Sequence, residues 1–126
     1  MVEAAASTTA FETAQRLVRI LPEEGYRLKA AVWVMRGEES WRLLLVPDHP
    51  FDGNLKETVK VAYNISKRRN DLPGWQNLQF EVVEESDPTI EAVSDATRGI
   101  RHVPVELEGI HHGTTYVDRA VVLKAA

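Results

Sequence analysis

Cysteine, long apolar runs and a basic excess are all missing from this sequence, and each absence excludes a class of protein. Because the chain has no cysteine, it has no disulfide bonds, no thiolate zinc ligands and no cysteine nucleophile. No apolar run approaches the roughly 18 residues that a membrane-spanning helix needs. The net charge of −4 argues against a nucleic-acid-binding protein, because such proteins usually have a basic surface.

Size and composition predict a single globular domain. The chain has 126 residues, of which 44% are hydrophobic and 27% are charged, so it has enough apolar material for a real core. The segment from Met1 to Ala10 has neither a basic flank nor an apolar stretch, so we expect no signal or transit peptide and a cytoplasmic location. We expect residues 1–8 to be a disordered lead-in and residues 9–126 to form the domain, with no membrane contact.

The stop and start signals of the sequence predict three helices and five strands. Thr9 followed by Glu12 has the spacing of a capping box, and Asp87 before Pro88 is a strong helix start. The apolar run from Ala30 to Met35 is typical of a central strand that is covered on both faces. The predicted elements, in order, are helix 9–21, strands 26–36 and 41–46, helix 54–69, strand 78–82, helix 88–98, and strands 102–107 and 114–124.

This order predicts an α+β fold with one mostly antiparallel five-stranded sheet and helices largely on one side of it. Pro104 has no main-chain donor, so the fourth strand is predicted to be an edge strand or to carry a bulge. In the second helix, Asp52 is the expected N-cap. The expected buried stripe of that helix consists of Leu55, Val59, Ala62 and Tyr63.

The motifs of common nucleotide-binding and hydrolytic enzymes are absent. The sequence has no glycine-rich dinucleotide or P-loop spacing and no Gly-x-Ser-x-Gly elbow. Pro47-Asp48 is similar to the opening of a restriction-type nuclease core, but no lysine has an acidic residue two positions before it. We therefore expect no cofactor, and the sequence offers no complete catalytic constellation.

The histidines are candidates for chemistry: His49, His102, His111 and His112. Adjacent His111 and His112 on extended backbone point to opposite sides of a strand, so they cannot easily hold one metal ion together. We therefore expect no metal site, and we interpret these histidines as solvated turn residues. The alternative is that a histidine here acts as an acid–base group in catalysis.

Arginines near the C-terminus form a second group of candidates. Arg98, Arg101 and Arg119 could gather at the end of the last hairpin and bind a phosphate or a carboxylate. An alternative is metal-independent RNA cleavage, for which the candidate catalytic residues are His102, His112, Tyr116 and Arg119. The simpler interpretation, which we favour, is that the arginines cover apolar neighbours and pair with acidic residues of the hairpin.

Three further groups have structural explanations. The run Lys67-Arg68-Arg69 suits a helix C-terminus, although three cations beside Trp75 could make a weak, salt-sensitive nucleic-acid contact. The acidic residues between Glu81 and Asp95 are most simply a solvated face and a helix start, with a divalent-ion site as the alternative. Trp33, Trp41 and Trp75 are expected to pack in the core or in the hairpin, whereas aromatic content alone would place a small-ligand site near Trp33 and Trp75.

Short motifs run along most of the chain: Trp33, Trp41-Arg42-Leu43, Gly99-Ile100-Arg101 and the segment from Gly113 to Val121. They resemble a family of small bacterial α/β proteins to which no activity is assigned. In that family an aromatic-containing first strand precedes a Trp-x-Leu strand, and a final glycine turn leads into an aspartate-alanine strand. The resemblance implies a shared fold and a bacterial cytosolic setting, and it implies no activity.

From these observations we expect a non-enzymatic binding or accessory protein that acts through protein–protein contact. The expected contact surface is the C-terminal β-hairpin, because a free strand edge is a template for pairing with another chain, including a second copy of this one. The alternative is a nucleic-acid-acting protein, either a binder or a metal-independent ribonuclease, that uses the arginine and histidine residues named above.

Overall fold

The computed structural model describes residues 2–36, 40–100 and 102–125. Over these ranges the predicted order of three helices and five strands is confirmed. Two short 3₁₀ turns, Arg69–Asp71 and Trp75–Asn77, follow the second helix. The elements are α1 (Val2–Glu23), β1 (Leu28–Arg36), β2 (Ser40–Pro47), α2 (Asn54–Lys67), β3 (Phe80–Val82), α3 (Pro88–Ala96), β4 (Val105–His112) and β5 (Thr115–Lys124).

The five strands form one sheet in the order β3-β2-β1-β5-β4. β1 is the central strand, as its apolar run predicts, and it pairs antiparallel with both β2 and β5. β4 pairs antiparallel with β5, whereas β2 and β3 are parallel. The parallel pair follows from the crossover through α2, because parallel neighbours cannot be joined by a tight turn. The α+β class and the mostly antiparallel sheet are therefore confirmed.

Helices cover both faces of the sheet and create two cores. The first core lies under α1 and α2 and includes Leu17, Trp33, Leu43 and Val61, among others. The second core lies under α3 and includes Val32, Val34, Leu44, Ile90 and Val93. Successive residues of β1 alternate between these cores, which explains why the strand has no polar face.

The first helix is longer than predicted. It begins at Val2, so residues 2–8, which the sequence assigned to a lead-in, have helical backbone. The predicted capping box is wrong, because Thr9 lies inside the helix and its carbonyl accepts a hydrogen bond from the Thr13 hydroxyl. The alanines before Thr9 are strong helix formers and extend the helix toward the N-terminus. Pro22 does not end the helix, which continues to Glu23.

The second helix buries the face opposite to the one predicted. Its buried residues are Glu57, Val61, Asn64 and Ile65. The side chains predicted to be buried point outward instead, with exposed fractions of 76% for Leu55, 58% for Val59 and 66% for Tyr63. The N-cap is Gly53 rather than Asp52, and its backbone at φ 96° suits glycine. The contacts of Glu57, described below, explain why this face of α2 is buried.

The C-terminal half matches its predicted signals more closely. The Asp87 side chain caps α3 by accepting hydrogen bonds from the main-chain amides of Thr89 and Ile90, as predicted. β4 begins at Val105, directly after Pro104, and it is an outermost strand, so the edge prediction is confirmed. The last turn is shorter than expected, because His112 pairs with Thr115 across a turn at Gly113 (φ 60°).

Candidate functional site

The C-terminal arginine and histidine candidates lie in two different places. Near the end of α3, the Arg98 Nη2 atom lies 2.9 Å from Asp95 Oδ1, and His112 Nδ1 lies 3.7 Å from the other oxygen of the same carboxylate. His102 is exposed just before β4, and Arg101 lies outside the described residues. Arg98 and His112 are therefore brought together by a shared acidic partner rather than by an open pocket.

The other members of that group lie on the opposite side of the hairpin. The Arg119 guanidinium is 5.4 Å from the Trp41 ring centroid, and Trp41 stacks on Trp33 of the first core at 5.8 Å. Tyr116 contacts the ring of His111 at 4.6 Å. His111 and His112 therefore face away from each other, as predicted. Arg119 covers an apolar neighbour, and the described candidates do not converge on one site.

The basic run at the end of α2 ties two helices together. Lys67 Nζ lies 2.6 Å from Glu24 Oε1, and Arg68 forms ion pairs with Glu23, Glu24 and Asp71. Hydrogen bonds from Lys67 and Arg68 hold the pKa of Glu24 below its usual range. Since Lys67 and Arg68 are engaged by the carboxylates at the end of α1, these two residues hold α1 and α2 together, whereas Arg69 donates to the Ser66 carbonyl of α2.

A buried carboxylate network was missed by the sequence analysis. Glu57 of α2 is fully buried, and it accepts hydrogen bonds from the Tyr26 hydroxyl at 2.8 Å and the Asp52 main-chain amide at 2.9 Å. His49 Nε2 lies 3.0 Å from both oxygens of the same carboxylate. The Tyr26 and His49 rings also meet edge to face at 5.3 Å. The expectation of a solvated turn histidine is therefore wrong for His49, which is partly buried and held by Glu57.

The network explains which face of α2 is buried. Burial acts to raise the pKa of Glu57, but the hydrogen bonds from Asp52, Tyr26 and His49 outweigh it, so the pKa lies below its usual value and the group is a carboxylate. A buried carboxylate is tolerated only with such partners. Burial and the same contact raise the pKa of Tyr26, which stays a phenol donor. Because Glu57 must face Tyr26 and His49, Leu55 and Val59 must face outward.

An open cleft of about 670 Å³ adjoins this network at the C-terminal ends of β2 and β3. His49 and Asp48 line it from one loop, and Glu84, Glu85 and Glu91 line it from the other side. Lys29 also lines the cleft, and its Nζ is 2.9 Å from Glu85 Oε2. Its electrostatics favour a cationic group over an anionic one, because carboxylates outnumber the single lysine.

The described residues contain neither a metal-ligand cluster nor a membrane-spanning helix. Within it, no cluster of three or more histidine, aspartate or glutamate side chains is arranged to hold a metal ion. No helix in the same ranges has both the length and the apolar character to cross a bilayer.

Comparison with family models, curated proteins and solved structures finds no match to this chain. The resemblance to small bacterial α/β proteins therefore stays a prediction.

Proposed function

We propose that this protein is a non-enzymatic binding or accessory protein of the bacterial cytoplasm that acts through protein–protein contact at α2. The observation that carries the proposal is the outer face of α2, formed by Leu55, Val59, Ala62 and Tyr63, all of which are exposed. These residues follow helical spacing, so they form one apolar stripe along the helix. Contiguous apolar stripes on the surface of a folded protein are typical of interaction sites.

The charges beside the stripe indicate the chemistry of the partner. Lys56, Lys60 and Lys67 lie along one flank of the outer face of α2, by helical spacing. Lys56 lies 3.8 Å from Asp52, and Lys67 is paired with Glu24, whereas Lys60 is exposed and has no ion pair with any described residue. We therefore take the partner to be an amphipathic helix whose apolar stripe is bordered by aspartate or glutamate.

The alternative, a nucleic-acid-acting protein, has less support. Lys67 and Arg68 are paired with Glu24, directly after α1, and the net charge of the chain is −4. The described members of the arginine and histidine group lie on two faces of the sheet. Nucleic-acid binding needs a continuous basic surface. The residues just named do not form one, because their cations are paired or lie on different faces.

The test uses two helical peptides that share leucines at positions i, i+4 and i+8. One peptide has glutamates beside the leucines, and the other has lysines in their place. We expect fluorescence anisotropy to report binding of the acidic peptide only, with affinity that falls as salt is added. The L55S/V59S variant should bind at least about tenfold more weakly, because the buried apolar area supplies most of the affinity.

The control is Ile100→Ser, because Ile100 is another exposed apolar side chain but lies outside α2, at 37% exposure. This variant should bind the acidic peptide as the unmodified protein does. Equal binding of the two peptides, or equal loss of binding in the control variant, would contradict the proposal.

A further inference from the structure

The outer edge of β4 is open for pairing. β4 is an outermost strand of the sheet and has eight residues, whereas β3 at the other edge has only three. Among the described strands, β4 pairs only with β5. Its outward main-chain amides and carbonyls therefore have no strand partner, and such an edge is a template for another strand.

The side chains of β4 change faces at Gly109. Val105 and Leu107 pack against the second core, and so does Ile110, although it is three residues beyond Leu107. A regular strand would keep residues two apart on one face. The change coincides with Gly109, whose φ of 59° is a conformation that suits glycine. The strand thus consists of two runs whose face patterns are offset by one residue.

This offset restricts the register in which two copies of β4 can pair along their whole length. When two copies of a strand pair antiparallel about a two-fold axis, residues that lie opposite each other must point to the same face. The offset satisfies this rule when the axis passes between Glu108 and Gly109. Leu107 then lies opposite the partner's Ile110, and both belong to the face of the second core. Glu106 lies opposite the partner's His111 on the other face.

We propose that a second copy of this chain pairs with β4 in this register, so that the two sheets become one continuous sheet. The pairing places Leu107 against the partner's Ile110, Glu106 against the partner's His111 and Val105 against the partner's His112, and the two-fold axis repeats each contact. Both copies keep α3 on the same face of the joined sheet. The outer face of α2 stays free, because α2 packs near β3 at the opposite edge of each sheet, where Asn54 Nδ2 donates to the Val82 carbonyl.

Charge-reversal variants at Glu106 and His111 test this pairing, with self-association measured by sedimentation or light scattering. We expect the unmodified protein to be a dimer, and E106K or H111E to weaken self-association about tenfold, because each removes or reverses two symmetric contacts. The E106K/H111E double variant should recover the dimer, since the introduced lysine and glutamate then lie opposite each other. E12K makes the same charge change on an exposed part of α1 and should leave the dimer unchanged.

The absence of cysteine permits a direct test of the register. Opposite residues of antiparallel strands have Cα atoms about 4.5–5.5 Å apart, within the range that a disulfide spans. The E106C/H111C variant should therefore form a covalent dimer on oxidation. E106C alone should not, because the two copies of position 106 would be roughly 17 Å apart.

Two results would overturn the pairing. One is a monomer at every concentration of the unmodified protein. The other is cross-linking of E106C alone as fast as the double-cysteine variant, because it would require a different register. Circular dichroism of each variant confirms that the fold is retained, and the recovery expected of the double charge variant cannot arise from unfolding.

Discussion

Glu57 illustrates how one buried polar residue determines the placement of its neighbours. It is fully buried and is contacted by Tyr26, His49 and the main chain of Asp52. These contacts come from the segment before β1 and from the loop between β2 and α2, whereas Glu57 itself lies in α2. The carboxylate therefore fastens three separate segments at one point, beside the open cleft.

The acid dependence of stability should report this carboxylate. The folded-state pKa of Glu57 lies below its usual value, so its stabilising contribution is present above the unfolded pKa of about 4.3 and is lost as the pH falls through the folded pKa. Glu57→Gln should therefore be less stable than the unmodified protein at pH 7, and the difference should shrink steadily below about pH 4.3. Urea unfolding across the acid range measures it.

Tyr26 should show the opposite pH dependence in the same experiment. The pKa of Tyr26 is raised by burial and by Glu57, so its contribution is present below the unfolded pKa of about 10 and declines as the pH rises beyond it. Tyr26→Phe removes one of the hydrogen bonds that lower the pKa of Glu57, so it should weaken the acid dependence of stability without abolishing it. A Glu57→Gln variant with the same acid dependence as the unmodified protein would show that the carboxylate is not ionised in the fold.

At the scale of elements, α2 separates what the sequence can and cannot predict. The α3 start was predictable because Asp87 caps amides only two and three residues away. The buried face of α2 was not, because it depends on contacts between Glu57 and Tyr26, 31 residues apart in the chain. The apolar stripe through Leu55 and Val59 has ordinary core periodicity, and nothing local indicates that it faces outward.

The candidate site likewise has features that the sequence predicts and features that it does not. The edge position of β4 was one of the two outcomes predicted from Pro104, since the missing amide donor favours an edge strand or a bulge. The convergence of Arg98, His112 and Arg119 could not be judged, because it depends on which face each side chain takes. For His112 that choice follows from the change of face at Gly109, whose positive φ no local pattern in the sequence indicates.

Two valines of α2 provide a matched test of its orientation. Val61 has no exposed surface, whereas Val59 is 58% exposed. Val61→Ala should cost about 1–3 kcal/mol of unfolding free energy, through lost packing and a residual cavity. Val59→Ala should stay within about 0.5 kcal/mol, because an exposed change loses no packing and alanine favours helix. Chemical denaturation of both variants measures this, and the reverse order would place the predicted stripe in the core after all.

For the whole molecule, the two proposed contact surfaces lie at opposite ends of one sheet. α2 packs near β3, whereas β4 closes the other edge. A dimer through β4 therefore presents two outer faces of α2, far apart and free. Two such faces on one assembly would bind a partner with repeated acidic helices more tightly than either face alone, because the second contact becomes intramolecular.

Hydrogen exchange distinguishes the two edges of the sheet. An amide in a paired strand exchanges slowly, and an unpaired edge amide exchanges quickly. Protection of β4 should therefore rise with protein concentration as the dimer forms, whereas protection of β3, the other edge strand, should not change. In H111E, β4 should stay unprotected at concentrations where the unmodified protein is protected. If β4 exchanges equally at all concentrations in both proteins, its outer edge faces solvent and the joined sheet does not form.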